Sequence, residues 1–288
     1  MTLPNFLVIG AYKSGTTALH HALRAHPQVF VPERKGPAFF AFDGAPADSN
    51  PAAERSVTSL DEYERLFEPA SNERAIGEVS PEYLANPHAS ARIKARVPDA
   101  RLVAILRDPV QRAFSDYLMY VRDGSETADF STALDEQDAR FASGLPTGYY
   151  VRTGFYGRQL RPYFAAFPRE QLQVHLFDDF ARDPDAVLAQ TFAFLGVDPA
   201  AARRPVEQDN ISGVPRNAAV RMLISVGRRV APVLPGPVRR RAKGVLARGL
   251  DRPELRIEDR RRLAEAYRDD VRELERLLDR SLEHWLST

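Results

Sequence analysis

An apolar run, Phe6-Leu7-Val8-Ile9-Gly10, breaks into Ala11-Tyr12-Lys13-Ser14-Gly15-Thr16-Thr17, and a helical stretch from Ala18 to Ala25 follows. A strand, a tight loop with Gly10 and Gly15, and a helix N-terminus make a cradle for an anion. The first N–H groups of a helix have no intrahelical partner and point outward. Lys13 adds positive charge, and Ser14, Thr16 and Thr17 add hydroxyl donors. Such a cradle handles a phosphorylated or sulfated nucleotide. It is not a Walker A loop, whose lysine follows the second glycine. Here Lys13 stands two residues before Gly15. A lone turn of this kind would read as an ordinary strand–turn–helix with a surface lysine, so a second element has to decide.

That element is Arg101-Leu102-Val103-Ala104-Ile105-Leu106-Arg107-Asp108-Pro109, continuing through Ser115-Asp116-Tyr117. Leu102 to Leu106 read as a buried parallel strand, here taken as the central one. Asp108 is set to cap a helix with Pro109 at its first position. Arg107 then leaves the carboxyl end of a strand, where ligands of open parallel sheets bind. Its paired donors, with the Ser115 hydroxyl, suit a second phosphate. The competing reading pairs Arg107 with Asp108 or Asp116 and leaves Ser115 in solvent.

Together the two elements resemble the sulfotransferases that use 3′-phosphoadenosine 5′-phosphosulfate (PAPS). Lys13-Ser14-Gly15-Thr16-Thr17 is similar to the family's 5′-phosphosulfate loop. Arg107 and Ser115, with seven residues between them, are similar to its 3′-phosphate motif. The resemblance runs on through Gly77-Glu78-Val79-Ser80-Pro81-Glu82-Tyr83-Leu84, Thr153 to Leu160, Phe194 to Val197 and Asn210 to Arg216. It is nearest to bacterial enzymes related to heparan-sulfate-type sulfotransferases. It implies PAPS as donor, 3′-phosphoadenosine 5′-phosphate (PAP) as product, and no required metal.

Composition agrees with one α/β domain over 1–288. The expected fold is P-loop-like: a central parallel sheet flanked by helices, with a core over about 1–200 and a closing loop and helical tail beyond. Net charge is +1, so no bulk field favours nucleic acid or an anionic membrane. With no cysteine there is no disulfide framework and no thiolate chemistry. A cytoplasmic location fits, since no apolar run reaches a membrane span and none resembles a signal peptide.

Further strands are expected at Val29 to Val31, Ala75 to Val79 and Leu172 to Phe177. Helices are expected at Leu60 to Phe67, Pro87 to Arg96, Phe114 to Val121, Phe130 to Phe141, Gly154 to Phe167 and Asp185 to Leu195. Ala41 to Ser59 reads as loop. In the tail, Arg228, Arg229, Arg239, Arg240, Arg241, Lys243 and Arg248 form a basic stretch. It reads as a solvated face ahead of a surface for membranes or anionic acceptors. Ile257 to Leu282 is an amphipathic helix whose stripe, Leu263, Tyr267, Val271, Leu274, Leu278 and Leu282, packs on the domain or partly serves a homodimer.

Sulfuryl transfer, like phosphoryl transfer, asks the protein mainly to position and to stabilise the departing oxygen. Lys13 is the expected electrostatic catalyst. The acceptor, a hydroxyl or amine of a small metabolite or saccharide, must lose a proton to a base. Relatives carry glutamate in a run like Lys-Glu-x-x-Phe-Phe, and often histidine two positions later. This chain reads Lys35-Gly36-Pro37-Ala38-Phe39-Phe40. Val79 likewise replaces a lysine that some relatives carry. Glu78 is therefore the first candidate base and Glu33 the second. His20, His21, His26 and His175 read as packing, surface or helix-end groups. Phe39, Phe40, Tyr83, Tyr149, Tyr150 and Tyr156 flank the family's cleft or fill core. Arg216 is expected to close over the 3′-phosphate end. A P-loop kinase and a PAP-binding relic without turnover are the alternatives.

Overall fold

The computed structural model describes residues 3–45, 51–143, 150–202, 214–216, 250–251 and 253–287. The basic stretch from Arg228 to Arg248, the segment 210–213 and Tyr149 lie outside the described residues.

Five parallel strands form the main sheet: β1 (Phe6–Gly10), β2 (Val29–Phe30), β3 (Ala75–Val79), β4 (Arg101–Leu106) and β5 (Leu172–Leu176). Their order is β2-β3-β1-β4-β5, so β1 is the central strand and β4 lies beside it. That corrects the expectation for β4. Strand order follows the direction of each crossover, which composition does not encode. The chain leaves β1 toward β2 and β3 on one side and returns to β4 on the other. The gap between the ends of β1 and β4 is thus the topological switch point, where open α/β sheets hold ligands.

All five β1 residues are buried. Side chains alternate across the sheet. Leu7 and Ile9 join a cluster with Leu102, Ala104 and Leu106 of β4. Phe6 and Val8 join another with Leu19 and Leu23 of α1 (Thr16–Ala25) and with Phe192. Burying each large apolar side chain stabilises the fold by roughly 1.5–3 kcal/mol, which fixes the strand that ends at the cradle.

Asp108 caps α7 (Pro109–Asp123) as its sequence foretells, accepting from the N–H groups of Val110 (2.8 Å) and Gln111 (3.3 Å). Gly196 ends α11 (Pro184–Leu195) at a φ of 76°. The segment expected as loop over Ala41 to Ser59 holds the end of α2 (Phe39–Phe42) and all of α3 (Pro51–Glu54). A further short helix, α5 (Glu82–Ala85), follows β3.

The helix Ile257–Leu278 packs along α9 (Tyr156–Ala166) and α7. Leu263, Tyr267, Val271, Leu274 and Leu282 are buried against this chain's own core. Asp270 accepts from the N–H groups of Gly157 (2.8 Å) and Arg158 (3.0 Å), satisfying donors in the first turn of α9. Arg260 pairs with the Asp108 cap at 3.1 Å, tying the tail to the start of α7.

Candidate active site

The cradle follows β1 directly. Gly15 caps α1 with a φ of 95°, in the left-handed region that favours glycine. A Cβ there would lie 3.1 Å from the Phe177 ring, so the close approach needs glycine as well. Lys13 is also left-handed, at a φ of 63°. Its ammonium sits 3.4 Å from the Met119 sulfur. Burial pushes the Lys13 pKa down, and Asp116 opposes that by favouring the charged form. Ser14 is fully buried, with its hydroxyl 3.4 Å from the Tyr12 carbonyl oxygen.

Arg107 emerges from β4 as expected. Its Nη1 lies 3.5 Å from the Lys13 carbonyl oxygen, and its guanidinium stands 5.1 Å from the centre of the Phe177 ring. Neither candidate carboxylate takes it. Asp108 pairs with Arg260, and Asp116 pairs with Arg112 at 3.3 Å. Ser115 is half-exposed, two turns into α7. The structure therefore brings Lys13, Ser14, Gly15, Thr16, Thr17 and Arg107 together at the ends of adjacent strands. Arg216 stands apart from them in its bonding. It is exposed and pairs with Asp251 at 3.0 Å, just after a two-residue strand (Val214–Pro215) that runs beside α7.

Lys35 is the site residue that sequence reasoning missed. Its ammonium donates to the hydroxyls of Thr17 (2.9 Å) and Thr16 (3.3 Å), placing a second cation over the cradle. Burial lowers its pKa, and Glu82 counteracts this. The available signal was a lysine beside a glycine in the loop after β2, which ends at the same sheet edge.

Beside the cradle opens a cavity of about 710 Å³. Its lining includes Tyr12, Lys35, Gly36, Glu82, Asp116, Met119 and Tyr150. Glu78 is not part of that lining. It is fully buried and accepts hydrogen bonds from the hydroxyls of Ser80 (2.6 Å), Tyr63 (3.2 Å) and Tyr83. Burial pushes its pKa up to about 7, against the pull of those hydrogen bonds. Ser80 in turn accepts from the Ala38 N–H at 2.9 Å, and Gly36 N–H donates to the Val79 carbonyl at 3.0 Å. Glu78 thus sits at the root of a network that holds the segment 36–38. Glu33 is exposed and outside the cavity lining.

The histidines have structural partners. His20 Nε2 lies 3.3 Å from the Pro32 carbonyl, His26 Nε2 2.9 Å from the Asp198 carbonyl, and His175 Nε2 3.0 Å from the Thr191 hydroxyl. Phe39, Phe40, Tyr83 and Tyr156 are buried in the core, and Tyr150, also buried, borders the cavity. Among the described residues no cluster of three or more His, Cys, Asp or Glu side chains could hold a metal ion. No helix among them is long and apolar enough to cross a membrane.

The sequence profile of the sulfotransferase family matches residues 4–201. A crystal structure of a sulfotransferase from Alicyclobacillus acidocaldarius is 30% identical, with a TM-score of 0.78 over 100% of both chains. The mouse heparan sulfate glucosamine 3-O-sulfotransferase 3B1 is 29% identical over 197 residues, 68% of this chain and 46% of its own length. The membrane-associated sulfotransferase kil1 of Dictyostelium discoideum is 36% identical over 117 residues, 41% of this chain and 23% of its own. The chain thus spans less than half the length of these two curated relatives. The profile covers the cradle, Arg107 and all five strands of the main sheet, and the bacterial structure matches end to end: the chain belongs to the sulfotransferase family.

Proposed function

We propose that the chain transfers the sulfuryl group of PAPS to a hydroxyl, or an amine, of a saccharide or small metabolite. The observation that carries this reading is the 3.5 Å approach of Arg107 to the Lys13 carbonyl at the switch point. It sets a cradle for one phosphate beside a guanidinium for another. PAPS carries anionic groups at both its 5′ and 3′ positions, and PAPS is the donor that family membership implies.

In this reading the first N–H groups of α1 and the Thr16 and Thr17 hydroxyls hold the 5′-phosphosulfate. Lys13 faces the oxygen on which negative charge grows as the sulfuryl group departs. Lys35, fixed on Thr16 and Thr17, adds charge on the same side. Arg107 and Ser115 hold the 3′-phosphate, and Arg216 closes over that end. The heparan sulfate sulfotransferase among the relatives points to saccharide acceptors, and the cavity beside Lys35 is large enough for a sugar unit.

Calorimetry tests the donor site. PAP is expected to bind more tightly than 5′-AMP, because only PAP offers the 3′-phosphate to Arg107 and Ser115. Equal affinity for the two would remove the assignment. A kinase reading has less support, because Lys13 precedes Gly15 where a Walker lysine would follow its glycine. Tight PAP binding without turnover on any acceptor would favour the relic.

A further inference from the structure

Where the family resemblance implies a glutamate, this chain has Gly36, yet a carboxylate lies close beside Gly36. A Cβ built on Gly36 would lie 3.7 Å from Oε1 and 3.8 Å from Oε2 of Glu82. The carboxylate oxygens of a glutamate lie on the order of 3–4 Å from its own Cβ, given ordinary bond lengths. The Glu82 carboxylate thus stands within the reach that a glutamate side chain at position 36 would have. We propose that Glu82, reaching this spot from the opposite wall, is the general base that deprotonates the acceptor. The assignment rests on the sulfuryl-transfer reading above.

Gly36 has a φ of 71°, a left-handed conformation that any side chain would strain. Position 36 is therefore shaped for glycine and leaves room for the carboxylate opposite. Glu82 opens α5, just after the Ser80-Pro81 turn at the end of β3. It lines the cavity beside the cradle, next to Lys35 and Tyr12. Its Oε2 is buried and has no hydrogen-bond partner among the described residues. An unpartnered buried carboxylate oxygen is costly unless something binds it, and an acceptor hydroxyl supplies the missing donor.

The other carboxylates nearby are engaged differently. Glu78 receives three hydroxyls and lies outside the cavity lining. Asp116 borders the cavity with an unpartnered Oδ1, but its Oδ2 is held in an ion pair with the buried Arg112. Glu82 has no such ion pair among the described residues. The titratable groups that act on it or feel it are Lys35, Tyr12 and Glu78. Burial raises its proton affinity, and the Lys35 charge opposes that rise. A carboxylate whose proton affinity is raised by burial is the stronger base.

The step balances simply. The acceptor oxygen forms a bond to sulfur as its proton passes to Glu82. The bond between sulfur and the bridging oxygen breaks, and its electron pair leaves on the 5′-phosphate of PAP. The proton then passes from Glu82 to water.

The test is Glu82→Gln, assayed for sulfate transfer from labelled PAPS to two acceptors. One is a heparan-type oligosaccharide, an alcohol that needs a base. The other is 4-nitrophenol, which is already ionised in mildly alkaline buffer. The variant is expected to lose roughly 10²–10⁴-fold in kcat on the oligosaccharide and less than about threefold on the nitrophenolate. Its acidic limb in the pH–rate profile should vanish, with PAP affinity and thermal unfolding unchanged. Equal losses on both acceptors, or loss of PAP affinity alongside rate, would make Glu82 a positioning group and overturn the proposal. So would full turnover of the oligosaccharide. No transfer by the unaltered chain to either acceptor would instead overturn the sulfuryl-transfer reading on which it stands.

Discussion

Lys35 donates to the Thr17 hydroxyl at 2.9 Å across 18 residues of sequence, so the loop after β2 lends its cation to the cradle after β1. A lysine held there by two threonine hydroxyls is positioned before any ligand arrives. Lys35→Ala is expected to weaken PAP binding by about 10- to 100-fold, the range of one charge-assisted contact worth roughly 1.5–3 kcal/mol. Because burial lowers the Lys35 pKa, its contribution should fade at a lower pH than an ordinary lysine's. Titration calorimetry of PAP across alkaline pH, wild type against variant, checks both points. Unchanged affinity in the variant would detach Lys35 from the donor site.

Lys13 should behave differently, because the role proposed for it grows during the reaction. Lys13→Ala is expected to lower kcat by on the order of a hundredfold or more while changing PAP affinity much less. That split marks an interaction stronger in the transition state than in the ground state. A variant with near-normal kcat and only a raised KM for the donor would contradict it.

In the proposed reading Arg107 grips the other end of the nucleotide. Arg107→Ala should cost PAP affinity by roughly 10- to 100-fold and leave 5′-AMP affinity nearly untouched. Parallel losses for both ligands would mean that Arg107 supports the Lys13 loop through its carbonyl rather than gripping a phosphate.

Glu78 makes a prediction about stability. Its pKa rises from 4.5 to about 7 on folding because burial disfavours the charge. The folded state then holds the proton more tightly than the unfolded state. The stabilisation is fully present below pH 4.5 and is lost as pH rises through about 7. The size is on the order of 3 kcal/mol. Glu78→Gln lacks this linkage, so its stability relative to wild type should improve between about pH 5 and pH 8. Urea unfolding at the two pH values reads the difference. An unchanged difference across that window would mean that Glu78 is already ionised in the folded protein at pH 5.

What the sequence disclosed and what it hid follow a physical divide. The Asp108-Pro109 start of α7 was legible because capping is decided by adjacent residues. The continuous apolar runs of β1 and β4 were legible because a strand buried on both faces needs them. The four-residue helices Phe39–Phe42, Pro51–Glu54 and Glu82–Ala85 were not, since one turn carries no periodicity. Which strand is central was hidden too, because neighbours in the sheet are set by crossovers. In the site, Lys13 and Arg107 announced themselves by local motifs. Lys35 and Glu82 did not, because their meaning lies in contacts made across the sheet edge. Gly36 looked like a missing base. Only the structure shows its positive φ and the Glu82 carboxylate within 4 Å of a Cβ placed there.

The most direct measurement of the central claim uses two labelled donors in parallel. The purified chain is incubated with a heparan-type oligosaccharide and either PAPS labelled in its sulfuryl group or ATP labelled in its γ-phosphate, with and without a chelator. Label is expected to pass to the acceptor from PAPS alone, at the same rate in the presence of EDTA. Transfer from ATP, lost on chelation and restored by Mg²⁺, would contradict the account.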